Sequence, residues 1–463
     1  MTISSLSPKI AMDKLQRNPR LLLIAGIVLR VVTYCFLEPT NLDQHFAVIQ
    51  FIVDHGRLPA TADMGEGQQP PLYYLLGAVV WKLSGSEKVV QLLSLAFSIA
   101  TLVVLYWLIT KTPLLESSVA RHYSLLLACL LPQFVTFGLF LSNDSLAILV
   151  GCLIFAQAYR FIEFPGWRQL LLLAAVSGLA LATKASFLPF LPVLSVLVFS
   201  ITYRHTRLWR RSFLAVFTFI VVVSALGSYK YIDNYVRYQN PMANVLDPRF
   251  HFAFVPEQAA GYRGIRSLLD VNILRLLASP SLSASTQQAY PLLFYATFWY
   301  PHIPESSFGG SHRKPLSYLG SVIYILGLFP SFLIFVGMFW YLKHLPDLRS
   351  AFVLYGEADR LLIMRYVAVL VLSALCLFLA AAVLRYHVWS MPVGRLLFPA
   401  LFSILVVFSK GVEVFRSNWR VMAALMFNMR ALAAVFVVYF LTEYSLVVLR
   451  EWFPGLRTLI KAL

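Results

Sequence analysis

The chain has 463 residues, 59% of them hydrophobic and only 13% charged, with a mean hydropathy of +0.73 and a formal net charge of +17. Soluble domains carry about a quarter charged residues, so water is excluded as the main solvent. The basic surplus does not build a nucleic-acid face either, because Lys and Arg fall between apolar runs rather than on one soluble surface.

Taken in chain order, Lys9, Lys14, Arg17 and Arg20 precede the apolar run Leu21 to Leu37 with no small-residue cleavage site after it, the pattern of an uncleaved signal anchor. Further stretches without a charge, such as Val89 to Thr110, Phe213 to Ser228 and Tyr366 to Leu384, read as spans. In hydrocarbon every backbone N–H and C=O must be paired within its segment, and the period-2 alternation of a membrane barrel is absent. The expected fold class is therefore all-α, a polytopic transmembrane helix bundle. Crossings are expected at 21-37, 89-110, 122-141, 145-162, 169-183, 187-202, 212-230, 317-342, 366-384, 396-409 and 431-449, about eleven in number. The apolar run from Pro70 to Leu83 is too short to cross and is read as a juxtamembrane helix on the outer surface.

With the N-terminus inside, every short inner loop is basic: Lys111 and Arg121, Arg160 and Arg168, the cluster Arg204, Arg207, Arg210 and Arg211, then Lys343 to Arg365 and Lys410 to Arg430. Making Pro70 to Leu83 a crossing would turn that arginine cluster outward, against the rule. The outer face then receives the loop 38-88, the link at Asn143 and Asp144, Lys184, a large loop 231-316, and Arg385 to Arg395. No internal repeat or low-complexity tail divides the chain, so residues 1-463 are expected to form one membrane domain. Cys35, Cys129, Cys152 and Cys376 lack the spacing of a zinc or redox pair.

Candidate chemistry collects on the outer face. Asp43 precedes a helix marked by Phe46, Ile49 and Val53, where it is either an N-cap or a base. Asp144, in the turn Ser142-Asn143-Asp144-Ser145, carries the same two readings. Two carboxylates on one face suffice to deprotonate an acceptor hydroxyl or to hold a divalent cation. No other cofactor is implied, and which residues would ligate a metal is left open. Lys184, Arg385 and Arg395 are the cations at that level; snorkelling at a helix end is the ordinary explanation for each, and gripping a phosphate the functional one. The aromatic run Tyr290 to Pro301 reads first as an interfacial belt and second as a sugar-stacking surface.

These residues resemble the GT-C superfamily of polyprenyl-phosphate-sugar-dependent glycosyltransferases, the group of aminoarabinose transferases and protein O-mannosyltransferases. The resemblance rests on Asp43 after the first span, His55-Gly56-Arg57-Leu58-Pro59, Gln69-Pro70-Pro71-Leu72-Tyr73-Tyr74, Ser142-Asn143-Asp144, Thr183-Lys184-Ala185-Ser186 and Gly394-Arg395-Leu396-Leu397-Phe398-Pro399, in the family's order. Two departures stand out: Gln44 follows Asp43 where many relatives have Glu, and Gln69 replaces the usual His. The resemblance implies transfer of one sugar, with inversion, from a polyprenyl-phosphate donor to a glycan, lipid or protein acceptor at the outer face of a bacterial plasma membrane. It implies Asp43 and Asp144 as catalytic groups, and Lys184, Arg395, Arg385, Tyr73 and His45 as substrate- or phosphate-binding groups. A lipid-linked glycan polymerase or ligase, which would consume a diphosphate donor, and a flippase are the alternatives. A flippase calls for charges or helix breaks near the midplane and repeated halves, and the sequence shows neither.

Overall fold

The computed structural model describes residues 18–39, 44–244, 249–250, 271–278, 280, 290–301, 314–344, 363–365, 367–369, 371–372 and 394–452. Asp43 and Arg385 lie outside the described residues, as do most of the expected span 366-384 and of the loop 231-316. Among the described residues all regular structure is helical.

The helices are α1 Pro19–Phe36, α2 His45–His55, α3 Leu72–Ser84, α4 Glu87–Lys111, α5 Ser118–Leu130, α6 Pro132–Phe137, α7 Asp144–Glu163, α8 Trp167–Leu181, α9 Phe190–Thr206, α10 Trp209–Gly227, α11 Tyr229–Tyr238, α12 Ile273–Ala278, α13 Tyr290–Trp299, α14 Lys314–Lys343, α15 Leu401–Val414 and α16 Trp419–Trp452, with 3₁₀ turns at Ala185–Phe187 and Gly394–Ala400. Eight segments among the described residues are long and apolar enough to cross a membrane: α1, α4, α7, Ala185–Thr206, α10, Leu316–Lys343, Gly394–Val414 and Trp419–Val448. The chain is an integral, multi-pass membrane protein.

Two expected crossings take another form. α8 has only 15 residues, about 22 Å at 1.5 Å per residue, which is short of a bilayer core. The expected span 122-141 is broken between α5 and α6. Pro132 has no N–H for the carbonyl of Ala128, and Leu131 leaves the helix at ψ 113°. Those stranded acceptors are met by Arg30 of α1, fully buried, which donates to Ala128 O at 3.0 Å and Cys129 O at 3.2 Å. Its Nε also reaches Ser98 Oγ of α4 at 2.9 Å, and the guanidinium lies over the Phe134 ring, 5.1 Å from its centre. A buried arginine thus supplies the donor that proline removed, so a charge and a helix break do fall within expected spans, contrary to the sequence reading that found neither.

As expected, Pro70 to Leu83 yields a short helix. α3 lies against α2, whose Phe46 and Ile49 are buried and whose Val53 packs on the core. The bundle interior is built from α4, α7 and α15, with α14 and α16 packed beyond. Helix association in lipid relies on close packing, and α14 and α15 achieve it through reciprocal glycines. A β-carbon at Gly337 would sit 1.9 Å from Val407 O, and one at Gly411 1.9 Å from Leu333 O. The aromatic run behaves differently from a belt: in α13 Leu293 and Ala296 are buried, as are Trp299 and Tyr300 at its end. Trp299 Nε1 donates to Ser331 Oγ of α14 at 3.0 Å.

Candidate active site

The motif at 142–144 ends a polar turn and opens α7. The N-cap position is Asn143, without a side-chain cap bond, so the carboxylate of Asp144 is left for other partners. It is buried. Its Oδ1 accepts from Lys184 Nζ, and its Oδ2 lies 4.0 Å from Arg395 Nη1. The cap reading of Asp144 is thereby replaced by an ion-pair reading. Among the described residues one carboxylate faces two cations here, at a helix N-terminus whose dipole adds a partial positive charge. Lys184 and Arg395 each keep 16% of their side-chain surface accessible.

Local sequence explains how each group arrives. Lys184 extends from the turn after α8, and the same turn binds α3: Leu72 N–H donates to Ala182 O at 3.0 Å. Gln69, the departure from histidine, accepts from Asn143 Nδ2 at 3.3 Å, and that same amide nitrogen lies 3.3 Å from Thr183 O. Three motifs far apart in sequence therefore meet at one polar knot. Arg395 rides on the 3₁₀ turn Gly394–Ala400, where Gly394 N–H donates to Thr297 Oγ1 of α13 at 2.5 Å. The Arg395 guanidinium lies over the Phe137 ring, 4.7 Å from its centre.

Of the remaining candidates, Tyr73 is buried and its hydroxyl is bonded to Ser94 Oγ at 3.0 Å. His45 Nδ1 pairs with Tyr74 OH at 2.7 Å, and its ring is within electrostatic reach of Asp144. Asp144, Lys184, Arg395, Tyr73 and His45 thus belong to one neighbourhood. Among the described residues no three His, Cys, Asp or Glu side chains gather to hold a metal ion. Asp144 is already matched by two cations, so the described residues do not fit a divalent cation.

The loop leading to α3 is clamped onto α11. Asp63 Oδ2 accepts from Arg57 at 2.7 Å and from Ala60 N–H at 2.8 Å. Burial alone would push the Asp63 carboxyl up, but those two donors and the Arg57 charge outweigh it and hold the group below its ordinary value. Thr61 donates to Asn234 at 2.6 Å, and Lys230 Nζ to Pro59 O at 2.9 Å.

Sequence reasoning missed the polar stripe of α4. Gln91, Ser94, Ser98 and Thr101 are all buried, and Gln91 and Ser94 donate to Leu139 O and Phe140 O at 3.1 and 2.8 Å. Their spacing of three, four and three residues inside a charge-free run was the available signal.

Residues 68–229 match the family described as dolichyl-phosphate-mannose-protein mannosyltransferase. The matched segment contains Gln69, Tyr73, Asp144 and Lys184 and leaves Arg395 outside it. The chain as a whole is a multi-pass membrane protein. No curated protein matches it. Among solved structures, it resembles ArnT from Cupriavidus metallidurans bound to undecaprenyl phosphate at 17% identity and a TM-score of 0.37, over 86% of this chain and 78% of that one. It also resembles the Archaeoglobus fulgidus oligosaccharyltransferase in complex with Zn and sulfate at 13% identity and a TM-score of 0.47, over 91% of this chain and 53% of the archaeal one. At those TM-scores the likeness carries no residue-by-residue correspondence.

Proposed function

We propose that the chain transfers a sugar, with inversion, from a polyprenyl monophosphate to a glycan, lipid or protein acceptor at the outer face of a bacterial plasma membrane, the N-terminus lying inside. The observation that supports this reading is the convergence of Lys184 and Arg395 on Asp144. Such a pair suits the single phosphate of a lipid-linked sugar, since a guanidinium and an ammonium together can grip it and stabilise the charge it gains on leaving. The family name attached to residues 68–229, which contains a lipid-phosphate sugar, agrees with that donor class.

In this mechanism the acceptor O–H gives its proton to Asp43, its oxygen attacks the anomeric carbon, and the bond from that carbon to the phosphate oxygen breaks. Arg395 and Lys184 take the charge of the departing polyprenyl phosphate. Asp144 holds both cations in place and is not the base, because a carboxylate matched by two cations is a poor proton acceptor.

The test is incubation of purified protein with a labelled polyprenyl monophosphate sugar and, separately, a diphosphate-linked glycan. Consumption of the monophosphate alone is expected, with turnover abolished in Asp43→Asn while donor binding is retained, and donor binding weakened in Arg395→Gln. Consumption of the diphosphate donor would favour a polymerase or ligase, and full turnover by Asp43→Asn would remove it as base.

A further inference from the structure

The end of the bundle remote from Asp144 holds an open cavity of about 420 Å³, bordered by the end of α7, the start of α8, the end of α9 and the start of α10. α7 runs 20 residues from Asp144 to Glu163, about 30 Å, so this cavity lies on the opposite membrane face. Phe161, Leu170 and Ala215 form apolar walls, while Thr206, His205 and Arg211 line the polar part. Trp167, also a lining residue, is 51% exposed at the rim.

Charge around this cavity is one-sided. Segments 160–168 and 204–211 contain six arginines and His205 against one acid, Glu163, and that acid accepts from Tyr159. Orientation of the chain in the membrane accounts for the arginines as a group. It does not account for a hollow with an apolar wall and a cationic, hydroxyl-bearing side.

We infer that this cavity holds the anionic headgroup of a membrane phospholipid. The phosphate sits at Arg211 and His205, and the acyl chains leave along Leu214, which is 52% exposed. A basic pocket between helix ends offers an anionic headgroup both a charge partner and a lipid-facing exit. A free phosphate would use the cations and leave the apolar wall unused. This inference does not depend on the proposed reaction.

The experiment is native mass spectrometry of the full chain in detergent with phosphatidylglycerol and phosphatidylcholine supplied together, repeated with inorganic phosphate in excess. One phosphatidylglycerol per chain is expected to survive detergent removal in preference to phosphatidylcholine, and phosphate should not displace it. The double substitution His205→Gln, Arg211→Gln should weaken retention roughly tenfold, the loss expected from removing charge-assisted contacts. Thr206→Phe, which fills the cavity and leaves the charges in place, should do the same and serves if the charge variant fails to fold. Equal retention by both variants, absence of headgroup preference, or displacement by inorganic phosphate would each overturn the assignment.

Discussion

Gly151 of α7 meets the carbonyl of Pro399 so closely that a β-carbon at 151 would lie 2.2 Å from that oxygen. Gly151 stands two turns after Asp144 on the same helix, and Pro399 lies near the end of the 3₁₀ turn that carries Arg395. The contact sets how far the Arg395 turn stands from the Asp144 helix. Gly151→Ala is expected to cost about 1–3 kcal/mol as overpacking and to lower sugar transfer by roughly tenfold to a hundredfold through displacement of Arg395. Turnover measured beside a melting curve checks it; unchanged turnover would show that the turn can shift without moving the guanidinium.

The Asp144 and Lys184 pair makes a second prediction. Removing one member of a buried pair leaves an uncompensated charge, at a cost of about 3–5 kcal/mol, whereas removing both is far milder. Asp144→Asn, which takes the carboxylate from both Lys184 and Arg395, should therefore lower stability strongly; Lys184→Gln, which leaves Asp144 facing Arg395, should cost less, and the double variant should recover part of the Asp144→Asn loss. Activity should not return in the double variant, because the phosphate still lacks its lysine. Thermal unfolding in detergent with a parallel transfer assay separates the two effects.

Arg30 and Pro132 should be coupled. Arg30→Met strands the carbonyls of Ala128 and Cys129, each at a desolvation cost of about 1–3 kcal/mol. Pro132→Ala restores an N–H that can serve Ala128, so Arg30→Met should be less damaging on that background. A double-mutant cycle on melting temperature measures the coupling, and simple additivity would mean that Arg30 is not compensating for the proline.

The loop clamp should respond to alkaline pH. Lys230 is 4% exposed, and burial pulls its ammonium down to about 8, with Asp233 at 3.7 Å opposing part of that pull. An unfolded lysine titrates near ~10.4. Between those values the unfolded chain binds more protons than the folded one, so stability rises with pH across that window and is flat below it. The melting temperature of the wild type should rise from about pH 7.5 to about pH 9.5 relative to that of Lys230→Met. An equal slope in the variant would show that another group titrates.

Much of this was legible in the residues, and what was not has physical causes. Eight of the expected crossings recur as long apolar helices, because unbroken hydrophobicity over about 20 residues is a local property. The short run at Pro70 to Leu83 was likewise readable from its length. The break at Leu131 and Pro132 was not, since whether a proline kinks or ends a helix depends on a partner for the freed carbonyls, and that partner is Arg30, about a hundred residues away. The grouping of Asp144, Lys184 and Arg395 followed from motif order, whereas the role of Gln69 as a tether for Asn143 required the fold. Burial of Trp299 and Tyr300, with Trp299 bonded to Ser331 of α14, is a tertiary outcome of a run that composition alone read as a belt.

One rod, α7, begins at the ion-paired carboxylate and ends at the cationic hollow. Its two ends therefore sit in opposite leaflets at a fixed spacing, and neither leaflet can thicken without drawing its headgroups away from one of them. Acyl-chain length thereby becomes an input to turnover: in vesicles of graded chain length, the rate should pass through a maximum where hydrocarbon thickness matches the rod and fall on either side.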